Sequence, residues 1–114
     1  MDNKSIADQL GDVVIREIQG CYSRGELSKS GDCINDMLRD GLYEADVEMV
    51  IMNADTIDKV MAAKSPRASN PRNTHYVIPG VSTKGRPVYC KICSNYHPET
   101  NEFIEWRLTS FCNK

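Results

Sequence analysis

The pattern of apolar and polar positions divides the chain into a helical N-terminal half and a C-terminal half of β-strands. Between residues 74 and 111, three β-rich segments, THYVI, RPVYCKI and FIEWRLTSF, are separated by two turn-rich connections. The pattern predicts an antiparallel meander with strands over His75–Ile78, Pro87–Cys93 and Phe103–Phe111. The run over Thr56–Met61 alternates weakly and predicts one further strand, at an edge. The helices then have one sheet on which to pack.

Apolar residues at helical spacing predict three helices before the strands. The first follows a sequence that resembles a capping box, and Arg24–Gly25 ends it. Gly41 supplies a left-handed stop for the second. The predicted helices cover Ser5 to about Gly20–Cys21, Ser30 or Gly31 to Asp40, and the segment YEADVEMVIMN that ends near Asn53. The side chains expected to face inward are Ile34, Met37 and Leu38 on the second helix and Val47, Val50 and Ile51 on the third.

Alternation along a strand separates the side chains that face the helices from those that face solvent. On the third strand, the two expected faces are Val88, Cys90 and Ile92 against Tyr89, Lys91 and Cys93. On the fourth, they are Ile104, Trp106 and Leu108 against Phe103, Glu105, Arg107 and Thr109. We expect the face that carries Tyr89, Lys91, Arg107 and Thr109 to be wet.

The length of the chain fits one domain, because 114 residues bury one hydrophobic core and not two. We therefore predict a single domain over residues 1–114. Its fold class is α+β, with two to three N-terminal helices packed on a mainly antiparallel sheet of about four strands.

The N-terminal sequence MDNKSIADQL lacks the basic and then apolar order of an export signal, and no apolar run approaches the roughly 18 residues of a membrane span. The five cysteines are an odd number, which disfavours a disulfide framework and favours reduced thiols. We expect a cytoplasmic protein with no membrane contact, and buried thiols that act as small hydrophobic side chains.

Charge is distributed unevenly along the chain. Residues 1–58 carry five basic and thirteen acidic side chains, a net charge of −8, whereas residues 59–114 carry nine basic and three acidic ones, a net charge of +6. Between Lys59 and Lys91 there are seven basic residues and no acidic one. This asymmetry is typical of proteins that bind a polyanion or an acidic partner, although the two halves would also neutralise one another within the fold.

From Ser30 onward the chain resembles a bacterial family known as domain of unknown function 4258. The resemblance rests on MLRDGL, YEADVEMVI, TIDKV, HYVIPG, GRPVYCKI and the closing TSF. It covers about residues 28–111 and leaves residues 1–27 as an N-terminal helical extension. The family is in turn similar in layout to RelE/ParE-type and BrnT-type toxins, in which basic residues on a sheet cleave RNA or engage a target.

The chain departs from the family pattern at two positions. Family members commonly carry a His and, four residues later, an Arg on the helix before the Arg-Gly turn. The corresponding positions here are Asp32 and Asp36. If the basic pair performs chemistry in the family, this chain lacks it, and a binding role gains weight.

The resemblance to toxins implies RNA cleavage without a metal, in which basic groups stabilise the transition state and a base removes the 2′-hydroxyl proton. The expected catalytic residues are Arg107, His75 and Arg86. His97 and Glu105 are alternative bases, and Tyr76 and Tyr96 are further stacking candidates. The residues expected to bind nucleic acid or a partner are Lys64, Arg67, Arg72, Lys84, Lys91 and Tyr89.

The cysteines suggest two other chemistries, zinc binding and nucleophilic catalysis. Cys90, Cys93, His97 and Cys112 are ligand types that zinc accepts, but a strand through Cys90–Cys93 places the two sulfurs on opposite faces. Cys93 and His97 would form a nucleophile and base, but the sequence shows no third orienting group. We therefore expect no metal and no cofactor. The leading prediction is a toxin-like, RNA-interacting module, a divergent or inactive metal-independent ribonuclease, and the alternative is a non-catalytic domain that binds a partner protein.

Overall fold

In the computed structural model of the protein, three helices pack with a five-stranded mixed sheet. The structure describes residues 6–62 and 72–114. The helices are α1 (Ile6–Ser23), α2 (Gly31–Asp40) and α3 (Glu44–Met52). The strands are β1 (Ser28–Lys29), β2 (Lys59–Ala62), β3 (Thr74–Val81), β4 (Pro87–Tyr96) and β5 (Phe103–Asn113). The predicted α+β class is confirmed, with one strand more than expected.

The strands lie in the order β1-β5-β4-β3-β2. The pairs β2–β3, β3–β4 and β4–β5 are antiparallel, as the meander predicts, and β2 is an edge strand. The sequence did not predict β1, a two-residue strand that pairs in parallel with β5 through Ser28 and Lys29. Two polar residues carry no alternation from which a strand could be recognised.

The ends of α2 are those that the sequence predicts. Ser30 caps the helix by accepting a hydrogen bond of 3.1 Å from the backbone N–H of Cys33. Gly41 ends it with a φ of 67°, in the left-handed region that glycine adopts without strain.

The prediction of which α2 side chains face the core is wrong in part. Met37 is buried as expected, but Ile34 and Leu38 are exposed, and Cys33 is buried in their place. Cys33 and Met37 are four residues apart and form the stripe that packs into the core. Ile34 and Leu38 form the neighbouring stripe, one residue farther round the helix, and face solvent.

Helix α3 packs on β3 with the residues that the sequence predicts. Val47, Val50 and Ile51 are buried in the core. Gly80 of β3 permits this approach, because a Cβ at that position would lie 2.8 Å from Cγ1 of Val50.

Strand β3 also passes through Pro79, where the sequence predicted its end. Because β2 pairs with β3 only as far as Val77, the missing N–H of Pro79 costs no bond to β2.

Two irregularities in β5 change which side chains face the helices. The pairing with β4 shifts at Ile104 and again at Thr109, so neither residue has a partner in the register. As a result Phe103 lies against Trp106, with ring centroids 5.7 Å apart, while Ile104 is exposed. The predicted grouping of Ile104 with Trp106, opposite Phe103, is therefore wrong.

Among residues 6–62 and 72–114, no helix is long and apolar enough to cross a membrane.

Candidate nucleic-acid interface

One face of the sheet is left uncovered by α1 and α3, and we call it the open face. Cys90 and Ile92 of β4 lie in the core on the helix side, so the residues that alternate with them lie on the open face. The cross-strand register then places Met61, His75, Cys93 and Arg107 in one line across β2, β3, β4 and β5. We call these four residues the central row.

The central row places a short side chain between two longer polar ones. His75 and Arg107 are both paired with Cys93 from opposite sides, which puts their backbones about 10 Å apart, two strand spacings. The side chain between them is the short Cys93, which is buried and donates a hydrogen bond of 3.2 Å from Sγ to Oδ1 of Asn95. An imidazole and a guanidinium therefore lie on either side of a buried thiol on the open face.

His75 is held neutral at neutral pH. Burial lowers the pKa of its imidazole, and the positive charge of Lys91 lowers it further. A neutral imidazole has a free nitrogen lone pair and accepts a proton or a hydrogen bond. His75 can thus act as a base in this row, and Arg107 supplies a guanidinium on the other side of Cys93.

A second line of residues crosses the open face beside the central row and adds positive charge. The register aligns Lys59, Val77, Lys91 and Ser110 across the same four strands. Lys59 is exposed and Lys91 is half-buried. With Arg107 in the central row, three cationic side chains lie on β2, β4 and β5, and two of them, Lys59 and Lys91, lie on the same side of that row.

Carboxylates border the open face on its β5 side. The Ser110 hydroxyl donates a hydrogen bond of 2.7 Å to Oδ2 of Asp36 on α2, and Arg39 lies 3.5 Å from the same carboxylate. Glu105 lies 3.7 Å from Arg107. Asp36 is one of the two aspartates that the sequence resemblance singled out. The other, Asp32, is exposed in the first turn of α2.

Tyr89 lies on the open face near this acidic border, paired in the register with Cys112. A hydrogen bond with Cys112, together with burial, raises the pKa of its phenol, so Tyr89 stays protonated. Its half-exposed ring is available to stack on a base.

The structure does not bring Arg86 together with Arg107 and His75. Arg86 is exposed in the turn between β3 and β4, seven residues before Cys93 along the chain, so it lies more than about 20 Å from the central row. Lys84 lies in the same turn, near the buried carboxylate of Asp46. One phosphate cannot contact both the turn and the central row.

Arg72 lies near the end of the sheet that holds the central row, with its guanidinium carbon 4.5 Å from the centroid of the Tyr96 ring. This cation–π contact occupies one face of a ring that the sequence offered for base stacking. Lys64 and Arg67 lie outside the described residues.

The proposed metal ligands are separated in the fold. Cys90 is in the core, Cys93 is on the open face, and Nδ1 of His97 accepts backbone N–H bonds from Glu99 and Thr100 in the β4–β5 turn. Across residues 6–62 and 72–114, no three Cys, His, Asp or Glu side chains lie close enough together to hold a metal ion.

The neighbour of Cys93 was not identified from the sequence. Spacing suggested His97, four residues away, whereas the register pairs Cys93 with His75, eighteen residues earlier in the chain. The signal that would have found it is the hairpin register, which follows from the turn over Ser82–Arg86.

Comparison of the chain with protein families, curated proteins and solved structures finds no match.

Proposed function

We propose that the chain is an RNA-interacting module that holds single-stranded RNA on the open face. The observation that supports this best is the central row, in which neutral His75 and charged Arg107 flank the short Cys93 with Lys91 beside them. Cationic groups that follow a strand surface bind the phosphate backbone, and an aromatic ring such as Tyr89 stacks on a base.

The acidic border sets where the RNA would lie. Asp36 and Glu105 repel phosphate on the β5 side, whereas Lys59 and Lys91 attract it toward β2, β3 and β4. The backbone of the RNA would therefore cross the face over Cys93, and not along α2. This orientation places a phosphate between His75 and Arg107.

The proposal includes metal-independent cleavage, because a phosphate held at this position would lie next to the groups that the reaction needs. His75 accepts the proton of a 2′-hydroxyl, the 2′-oxygen forms a bond to phosphorus, and the bond to the 5′-oxygen breaks. The departing 5′-oxygen takes a proton from water, leaving a 2′,3′-cyclic phosphate and a 5′-hydroxyl. Arg107 stabilises the additional negative charge on the phosphate during this step.

Two features favour a second candidate, binding without turnover. Glu105 lies 3.7 Å from Arg107 and partly neutralises it, and Asp36 stands where the resembling family carries a basic residue. In this reading the open face docks RNA or an acidic partner protein through charge alone. The two candidates differ in whether a cleaved product forms.

The experiment is to incubate the purified protein with a mixed single-stranded RNA pool at low salt with chelator present, and to follow retention and cleavage together. Arg107→Ala should abolish cleavage and weaken retention, and His75→Gln should abolish cleavage while retention persists. Arg16→Ala is the matched control, since Arg16 is an exposed arginine on α1, on the other side of the sheet.

Retention by the wild type without any product would favour the binding candidate. If neither retention nor cleavage is seen, both nucleic-acid functions are excluded. Cleavage that survives both His75→Gln and Arg107→Ala would place the activity outside the central row.

A further inference from the structure

A groove runs between α1 and the segment that leads into β2, on the helix side of the sheet. Its volume is about 610 Å³. Leu10 and Val60 are each 62% exposed there, and Val13 is 48% exposed. The apolar residues that line it include Leu10, Val13, Val14, Ile57, Val60 and Tyr76. Apolar side chains that remain this accessible along one groove are typical of a surface that another chain covers.

The edge of the sheet next to this groove is unpaired. β2 is the last strand of the sheet, and within the described part of the chain no strand lies beyond it. Alternate backbone N–H and C=O groups of an edge strand point outward and are available to an added strand. The groove therefore offers two kinds of contact together, backbone hydrogen bonds and an apolar surface for every second side chain.

The charge around the groove indicates which chain would fit. Asp55 contributes to the lining, and among the described residues no Lys or Arg does so. Asp58 is exposed immediately before β2, whereas Lys59 belongs to the open face. A second copy of this chain would bring the same acidic residues to the interface, so the charge favours a basic occupant.

We propose that this groove binds an extended segment of a partner protein, which adds to the sheet as a strand beside β2. The side chains of the segment that face the groove would be apolar, with at least one lysine or arginine among them to meet Asp55. This site is separate from the open face, so a partner held here leaves the proposed RNA surface accessible.

Short synthetic peptides test the proposal. The probe is a fluorescent peptide with threonine at every odd position and valine and lysine in turn at the even positions, and its matched control has glutamate in place of lysine. Measured by anisotropy, the lysine peptide should bind at least about tenfold more tightly than the glutamate peptide. Equal affinities would overturn the proposed charge preference, and no binding of either peptide would overturn the site.

Backbone methylation tests whether the peptide pairs as a strand. In a strand, the N–H groups of odd and even residues point to opposite sides. Two lysine peptides, one N-methylated at the odd residues and one at the even residues, should therefore differ by about tenfold or more in affinity. If both peptides bind equally well, the segment does not add to β2.

Variants of the chain locate the binding. Leu10→Gln should weaken peptide binding at least about fivefold, while Leu38→Gln, at a leucine 77% exposed on α2, should leave it unchanged. Asp55→Asn should reduce the preference for lysine over glutamate. Equal losses in Leu10→Gln and Leu38→Gln, or a dimer of the wild type that Leu10→Gln dissociates, would contradict a partner segment at this site.

Discussion

Asp46 in the first turn of α3 accepts two hydrogen bonds from Thr83, one of 2.8 Å from its backbone N–H and one of 2.7 Å from its hydroxyl. The same carboxylate accepts a bond of 2.8 Å from the backbone N–H of Tyr43. One buried side chain therefore joins the start of a helix to the turn between β3 and β4, and so fixes how α3 sits on the sheet.

Removal of the Asp46 carboxylate should destabilise the fold. Asp46→Ala leaves the N–H groups of Thr83 and Tyr43 without their acceptor, and we expect it to lower the free energy of unfolding by about 1–3 kcal/mol. Urea denaturation measures the change. The control is Glu48→Ala, an exposed acidic residue on the same helix. A loss no greater than that of the control would mean that the turn does not depend on Asp46.

Asp46 should also make stability depend on pH on the acid side. Burial would raise the pKa of its carboxyl, but the hydrogen bonds from Thr83 and Tyr43 outweigh burial and hold the pKa below the ordinary value of 3.8. The unfolded chain therefore takes up this proton first, and the contribution of Asp46 is lost as pH falls from about 3.8 through the lowered pKa. Over this range, unfolding free energies of Asp46→Ala should decline less than those of the wild type.

The close approach of α3 to β3 predicts a coupled pair of substitutions. In Gly80→Ala the new Cβ would meet Val50 at 2.8 Å, and we expect a loss of about 1–3 kcal/mol in unfolding free energy. Val50→Ala alone leaves a cavity and also destabilises. The double variant should be more stable than the sum of the two losses predicts, because the smaller side chain makes room.

Gly31→Ala is the control for this pair, since a Cβ there would have no neighbour within 4 Å. It should be neutral or slightly stabilising. Strictly additive losses in the double variant would show that α3 and β3 move apart to accommodate the new Cβ. The stability of the fold would then not depend on the fit between Gly80 and Val50.

Most of the fold follows from local patterns that are visible in the sequence. The wrong predictions concern features that depend on interactions between residues far apart in the chain. The cap at Ser30 and the stop at Gly41 are local, so the ends of α2 were predicted correctly. Its inner face was not, because Cys33–Met37 and Ile34–Leu38 both satisfy helical spacing. Packing in the core selects the first pair. Which side of this short helix faces the core is therefore decided by tertiary packing.

The candidate site was likewise predicted where it depends on local pattern and missed where it depends on the pairing of strands. Alternation in β4 correctly placed Tyr89, Lys91 and Cys93 on one face. Which residue of β3 lies beside Cys93, and that Arg86 is far from it, depend on strand register. The unpaired Ile104 and Thr109 of β5 likewise have no distinctive residue type, so strict alternation along β5 does not reveal them.

His75 should make stability depend on pH near neutrality. Burial, with the charge of Lys91, holds its folded-state pKa below the ordinary value of 6.5, so the unfolded chain binds the proton more readily. Stability should therefore be full above pH 6.5 and fall as pH drops through the lowered pKa. Urea titrations across this range should show a smaller decline in His75→Gln. His97→Gln, in the β4–β5 turn, is the comparison variant, and identical declines in wild type and His75→Gln would contradict the neutral state of His75.

The salt dependence of RNA retention should identify which cations contact phosphate. Each phosphate contact on single-stranded nucleic acid contributes a slope of about −0.7 to the plot of log K against log salt concentration. Lys59→Ala and Lys91→Ala should each reduce the slope by about that amount, because both residues lie in one line across the open face. Lys84→Ala, in the distant β3–β4 turn, is the matched control and should leave the slope unchanged. If Lys84→Ala lowers the slope as much as Lys91→Ala does, the RNA follows the turn and not the central row. The cations near His75 would then not hold the RNA, and their position would give no support to cleavage at that row.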